Sequence, residues 1–127
     1  VVRDLTVYPK VIGKRVNEEL PFLASESILM EAVKAGGNRQ NLHEKIRKYS
    51  METITLVKEE GADNDFIERV KKDEDFAIIK DRLNDILKPK NFIGRAPKQV
   101  TEYISEVARP ILRKHKKLLG VNTEFKV

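Results

Sequence analysis

The chain has no cysteine. That excludes thiolate metal sites and thiol nucleophiles, and it argues against a small secreted fold held by disulfides. An intracellular protein fits best. There is no run of about 18 apolar residues, so no membrane span is expected. Only two histidines occur, His43 and His115, far apart in the chain. No His-x-x-x-His, His-Glu-x-x-His or calcium-loop pattern accompanies them, and no metal site is expected. Neither of the glycine-rich phosphate-loop spacings follows Gly36-Gly37-Asn38. No strand pattern, internal repeat or low-complexity tract is evident. An initiator Met and a targeting signal are both missing before VVRDLTVYPK, so the chain reads as a piece of something longer.

What is present is helical and amphipathic. The 127 residues are 40% hydrophobic and 35% charged, as in a helical domain with a wet outer surface. The net charge of +5 arises from 25 basic residues set among 20 acidic ones. Such mixing indicates solvated helix faces, and a nucleic-acid partner is not expected.

The organising stretch runs from Phe22 to Glu60. FLASESILMEAVKA predicts one helix, Gly36-Gly37-Asn38 a corner, and RQNLHEKIRKYSMETITLVKEE a longer helix. Leu42, Ile46, Tyr49, Thr53 and Leu56 fall at steps of four and three, one stripe along a 3.6-residue helix. Two glycines after Ala35 suit a left-handed cap, and Asn38 can accept an N–H at the next helix start. Upstream, Leu5, Val7, Val11, Ile12, Val16 and Leu20 trace an apolar face, and Pro21 marks a new start or a kink. The apolar arm from Phe22 to Val33 is expected to lie inside a bundle, with self-association through its exposed surface.

Downstream, the long helix should end near Gly61. Asn64 or Asp65 then caps a short helix carrying Phe66, Ile67 and Val70, with Asp65-x-x-Glu68 spaced as a capping box. Phe76, Ile79, Leu83 and Ile86 predict a further helix stopped by Lys88-Pro89. Pro97 suits the first position of the last helix. There Val100, Ile104, Val107 and Ile111 share a face, and Pro110 should bend or interrupt it. The six helical patterns predict an all-α fold.

Few residues suggest chemistry. His43 could serve as a general acid or base, but its neighbour Glu44 does not share its face, and a solvated position is preferred. His115 reads as solvent-facing. The helix start beside Arg39 could attract an anion; a purely structural corner is preferred. Gly61-Ala62-Asp63-Asn64-Asp65 lacks the remaining ligands of a calcium loop and reads as a turn and cap. Arg109, Arg113, Lys114, Lys116 and Lys117 form a basic cluster with few aromatics beside it, which weakens a stacking site. A cationic helix end set against the macrodipole explains the cluster as well. Arg95 is expected to be structurally committed, its guanidinium satisfying several carbonyls. Arg39, Arg69 and Arg95 are the candidate anchors.

Four stretches together resemble the C-terminal part of the adenylosuccinate lyase family, within the fumarase/aspartase superfamily. They are VYPKVI (Val7 to Ile12), ELPFLASESILMEAVKAGGNRQNLHEKIR (Glu19 to Arg47), VKEEGADNDFIERV (Val57 to Val70) and FIGRAPKQV (Phe92 to Val100), in the family's order. The tail after Lys114 matches no pattern. The resemblance implies a homotetrameric, cytoplasmic lyase of purine biosynthesis built around a shared bundle of long helices, with no metal or organic cofactor. It implies that residues 1–37 end the central helical domain and that residues 38–127 form the small C-terminal domain. The implied reaction is β-elimination of fumarate from adenylosuccinate and from the succinylated carboxamide ribotide. The family's catalytic serine lies in a glycine- and serine-rich loop followed by Met-Pro-x-Lys-x-Asn-Pro, and its acid is a histidine of an earlier segment. Neither motif occurs here. Ser25, Ser27, Ser50 and Ser105 lack the loop context, and His43 matches a helix of the C-terminal domain. No catalytic, cofactor-binding or metal-binding residue is therefore expected in this chain, which alone should be an inactive scaffold and oligomer-forming piece. The alternatives are another superfamily member of the argininosuccinate lyase type, or a stand-alone helical module that binds nucleic acid through its basic tail.

Overall fold

The computed structural model describes residues 5–120. Seven α-helices follow one another in this span, joined by short 3₁₀ and π turns, and no strand occurs among the described residues. They are α1 (Pro9–Leu23), α2 (Ser25–Lys34), α3 (Arg39–Thr55), α4 (Phe66–Lys72), α5 (Leu83–Ile86), α6 (Ala96–Tyr103) and α7 (Arg109–Lys114). The chain divides into two compact units between Asn91 and Phe92. The all-α expectation holds.

In the first unit α2 is the hub, touching α1, α3, α5 and the 3₁₀ segment Glu74–Arg82. Its Ile28, Leu29 and Ala32 are buried, as are Leu42 and Ile46 of α3 and Phe66 and Val70 of α4. The apolar content of Phe22 to Val33 is thus mostly used inside the chain, while Leu23 and Met30 remain exposed on this arm. Phe22 meets Phe66 with ring centroids 6.0 Å apart, within the range where tilted aromatic pairs attract. Further exposed aliphatic surface lies on α1 and its lead-in, at Leu5, Val7, Val11 and Ile12. Arg15 on α1 pairs with Glu18 and Glu19, the solvated side that the charge pattern predicts.

Two expectations about the first arm are corrected. The helix runs through Pro21 to Leu23, and a new helix starts at Ser25, so Phe22 and Leu23 belong to α1. Pro21 removes one rung of the ladder, but the turn comes at Ala24, with ψ near −8°. Ala24 has no exposed surface, and the smallest side chain with a Cβ is what such a close crossing admits.

The corner forms as expected. Gly36, at φ 104°, donates its N–H to Val33 O, and Gly37 donates to Ala32 O. These are the two bonds of a Schellman motif. Asn38 Oδ1 accepts from Asn41 N at 3.0 Å and caps α3. Gly37 has an additional constraint: a Cβ there would lie 2.5 Å from Leu42 Cδ1 and 3.0 Å from Ala32 O. At its other end α3 widens into a π turn, Leu56–Glu60, and stops at Gly61 with φ 66°, where the breaker was expected.

Phe76, Ile79 and Leu83 are buried as their spacing predicts, yet Glu74–Arg82 is a 3₁₀ helix, nine residues long. Steps of three suit a three-residue turn as readily as an α-helix. The second unit contains α6, a π turn at Ile104–Ala108, and α7. Pro97 occupies the second position of α6, one later than expected, and Pro110 the second of α7. The ladder widens just before Pro110, where Arg109 N–H reaches back to Ile104 O. This is the interruption that Pro110 predicts. Val100, Ile104, Val107 and Ile111 are all exposed in this unit.

Candidate functional site

A polar seam runs along α3 in the first unit. Asn41, Lys45 and Tyr49 follow at steps of four, and Glu52 and Thr53 lie a turn further on, so the helix lays these side chains along one flank. Opposite them stand acidic groups from the cap and first turn of the 3₁₀ helix and from the start of α4. Asp73 accepts from Lys45 Nζ at 2.8 Å, from Tyr49 OH at 2.6 Å and from Asp75 N at 2.9 Å. Asp75 in turn accepts from Asn41 Nδ2 at 2.9 Å and pairs with Lys45 at 2.5 Å. One turn along, Asp65 accepts the hydroxyl of Thr53 at 2.7 Å and the Nε of Arg69 at 2.9 Å. Arg69 also pairs with Glu52. Thr53 has no exposed surface, and its hydroxyl is satisfied by Asp65.

The electrostatics say what the seam can do. Burial pushes the Asp73 carboxyl up, but hydrogen bonds from Lys45, Tyr49 and the Asp75 amide together outweigh it and hold the carboxyl below its ordinary range. Lys45 is held charged well above its ordinary value by hydrogen bonds to Asp73 and Asp75. The hydrogen bond to Asp73, then burial, raises the Tyr49 phenol. The Arg69 hydrogen bond holds the Asp65 carboxyl down, against burial and with help from Thr53. In each case the pKa moves further from pH 7, the reverse of the tuning that suits a general acid or base there. The seam is a clamp between α3, α4 and the 3₁₀ segment.

Asp65 departs from its expected role. Its side chain makes no cap bond to α4, because Thr53 and Arg69 occupy it. The capping box therefore does not form. Asn64 takes over: its Oδ1 accepts from Phe66 N at 3.1 Å and its Nδ2 donates to Glu18 O at 2.9 Å. One side chain thus starts α4 and ties the loop to α1. The stretch Gly61 to Asp65 is the turn and cap that its composition suggested.

The other candidates lie apart from the seam. His43 is exposed on the first turns of α3, in a shallow depression of about 730 Å³ that also involves Asn38, Gln40 and Glu44. Arg39 is exposed on the rim of an adjoining depression with Gln40 and His43. His115 is exposed just beyond α7. Arg95 is a correction: its guanidinium touches Glu102 at 3.4 Å and its side chain is 69% exposed. Of the three candidate anchors, Arg69 is the one built into the packing. Ser25, Ser27 and Ser50 are half-buried on α2 and α3, while Ser105 donates its hydroxyl to Glu102 O. Among the described residues no group of His, Asp or Glu could hold a metal ion, and no helix is long and apolar enough to cross a membrane.

Residues 21–103, from Pro21 at the end of α1 to the last residue of α6, match the family model described as Adenylosuccinate lyase C-terminus. The chain belongs to that family. Relatives named adenylosuccinate lyase agree with it along its length. The Saccharomyces cerevisiae protein is 46% identical over 116 residues, 91% of this chain and 24% of that protein. The Schizosaccharomyces pombe protein is 42% identical over 127 residues, all of this chain and 26% of that protein. The Schistosoma mansoni protein is 35% identical over 128 residues, all of this chain and 27% of that protein. The chain thus spans about a quarter of these curated relatives. The family match covers the corner, the seam and Asn64, and ends at Tyr103.

Proposed function

We propose that this chain is the C-terminal part of an adenylosuccinate lyase of purine biosynthesis. The whole enzyme would release fumarate from adenylosuccinate and from the succinylated carboxamide ribotide by β-elimination. In such a reaction a base removes the proton beside a carboxylate and an acid protonates the departing nitrogen. Fixed cations and hydrogen-bond donors stabilise the charge that builds up between the two events. The observation that carries the reading is the family match over residues 21–103, together with relatives of that name aligned across 91% or more of the chain.

Within that enzyme the chain's role is scaffolding. Residues 1–37 end the central helical domain, whose bundle assembles a cytoplasmic homotetramer, and residues 38–127 form the C-terminal domain. The exposed aliphatic side chains of α1, Val11, Ile12 and Val16, support this placement, since such a face is normally covered by other helices. The groups locked into the α3 seam support a structural role over a catalytic one. Proton transfer therefore falls to residues outside these 127, and the chain alone is inactive.

The test is an assay of fumarate release by the full-length protein, with adenylosuccinate, the succinylated carboxamide ribotide and argininosuccinate as substrates. Turnover of the first two alone is the expected result, with none by the isolated chain. Turnover of argininosuccinate only would move the protein to the other branch of the superfamily. Sedimentation of the active species should give four subunits.

A further inference from the structure

The chain's charge is concentrated at one place. Arg109, Arg113, Lys114, Lys116 and Lys117 carry five positive charges, equal to the net charge of the whole chain, and no Asp or Glu lies between Val107 and Gly120. Every residue from Arg109 to Gly120 is exposed. The ion pairs of this unit, Arg95–Glu102 and Lys98–Glu102, lie upstream of the segment. Large aliphatic side chains are interleaved with the cations: Ile111, Leu112, Leu118 and Leu119 are between 49% and 68% exposed. Leu112 and Leu119 line a depression of about 300 Å³ together with Arg109, Arg113 and Lys116. The segment lies beyond residues 21–103 that the family model matches, and relatives aligned over the whole chain extend across it.

We infer that the segment from Arg109 to Leu119 is a docking surface for an anionic lipid bilayer. The chemistry selects among polyanions. A nucleic acid would engage the cations and leave the leucines in water, and the one ring in the segment for a base to stack on is the imidazole of His115. An anionic bilayer surface satisfies both halves at once: headgroups take the arginines and lysines, while the interfacial zone takes the aliphatic side chains. Four to eight basic residues on an amphipathic helical segment are the usual footprint of such binding. Interfacial contact needs no spanning helix, and none of the described helices could span.

The experiment is flotation of the full-length protein with phosphatidylcholine vesicles, with and without phosphatidylserine, across a salt series. Binding should require phosphatidylserine and weaken as salt rises. R113Q/K114Q/K116Q/K117Q should lower the affinity by more than about a hundredfold, at roughly fivefold per cation near an anionic surface. L112S/L118S/L119S keeps every charge and should also abolish flotation at physiological salt. All seven positions are exposed, so both variants should melt with the wild type, and the salt series tests the idea with no substitution at all. Failure of the wild type to float at low salt would overturn the inference. So would flotation indifferent to the leucines. Salt-dependent binding of a single-stranded oligonucleotide in place of vesicles would assign the cluster to nucleic acid instead.

Discussion

Single residues around the corner separate two reasons for needing glycine. Gly36 sits at φ 104°, and a Cβ there would meet nothing within 4 Å. Its demand is conformational, and Gly36→Val should cost about 1–2 kcal/mol. Gly37 has an ordinary φ but no room, with Leu42 Cδ1 and the Ala32 carbonyl against the missing Cβ. Gly37→Ala should cost about 1–3 kcal/mol through overpacking. The two mechanisms part in a double-mutant cycle with Leu42→Ala, read by melting temperature. Truncating Leu42 removes the nearer obstacle, so it should couple to Gly37→Ala and not to Gly36→Val. Equal coupling at both positions would mean the corner is wrongly drawn. Arg69 gives a second prediction at this scale. Its fork holds Asp65 and Glu52 together, a geometry that a lysine ammonium cannot reproduce. Arg69→Lys should lose about 2 kcal/mol, nearly as much as Arg69→Met, when both are followed by urea unfolding.

At the scale of elements, the clamp from α3 to the 3₁₀ segment makes stability depend on pH in a definite direction. Asp73 and Asp65 are held below their ordinary range in the folded chain. A carboxyl depressed on folding contributes stability that is present above its unfolded value and is lost as pH falls through its folded value. Tyr49 and Lys45 are raised. Their contribution is present below their unfolded values, near 10, and is lost as pH rises beyond. The chain should therefore hold a stability plateau between the carboxylate range and about pH 10, with an acid limb below it. Asp73→Asn should flatten that limb and leave the Asp65 contribution. An acid limb unchanged in the Asn variant would take Asp73 out of the clamp. Little of this pairing was legible in the sequence. The 3.6-residue spacing displayed Leu42, Ile46 and Thr53 as one inward stripe, and the buried threonine within it was the one hint of a polar partner. What pairs with what depends on residues 12 to 34 positions apart, a distance over which periodicity carries no information. Asp65 was misread in part for the same reason: its local spacing suited a cap, while Thr53, 12 positions away, and Arg69, one helical turn on, made the stronger claim. The 3₁₀ form of Glu74–Arg82 was hidden because steps of three and four fit both helices. The glycine corner, the stop at Gly61 and the break at Pro110 were legible because each rests on the geometry of one or two adjacent residues.

For the whole molecule, the question is which apolar surface is left for other chains. Local pattern pointed to the arm from Phe22 to Val33, which is rich in large aliphatic residues. Packing consumes most of it: Ile28, Leu29 and Ala32 are buried under the chain's own α3 and 3₁₀ segment, leaving Leu23 and Met30 exposed. On α1, Ile12 is 53% and Val16 37% exposed, one turn apart on the same face. The two residues are not part of the clamp or the corner, so changing them should leave the fold's stability alone while changing what it sticks to. The isolated chain should accordingly self-associate as its concentration rises, and Ile12→Lys with Val16→Lys should return it toward a monomer in sedimentation equilibrium. Its melting temperature at low concentration should stay within about half a kcal/mol of stability of the parent, as for surface changes generally. In the full-length protein the same pair should lower the number of subunits in the active species and, with it, fumarate release. A chain that stays monomeric at high concentration, or a full-length variant that keeps its assembly, would show that the face of α1 is tolerated in water, and the helices that bind the subunits together would have to be sought elsewhere.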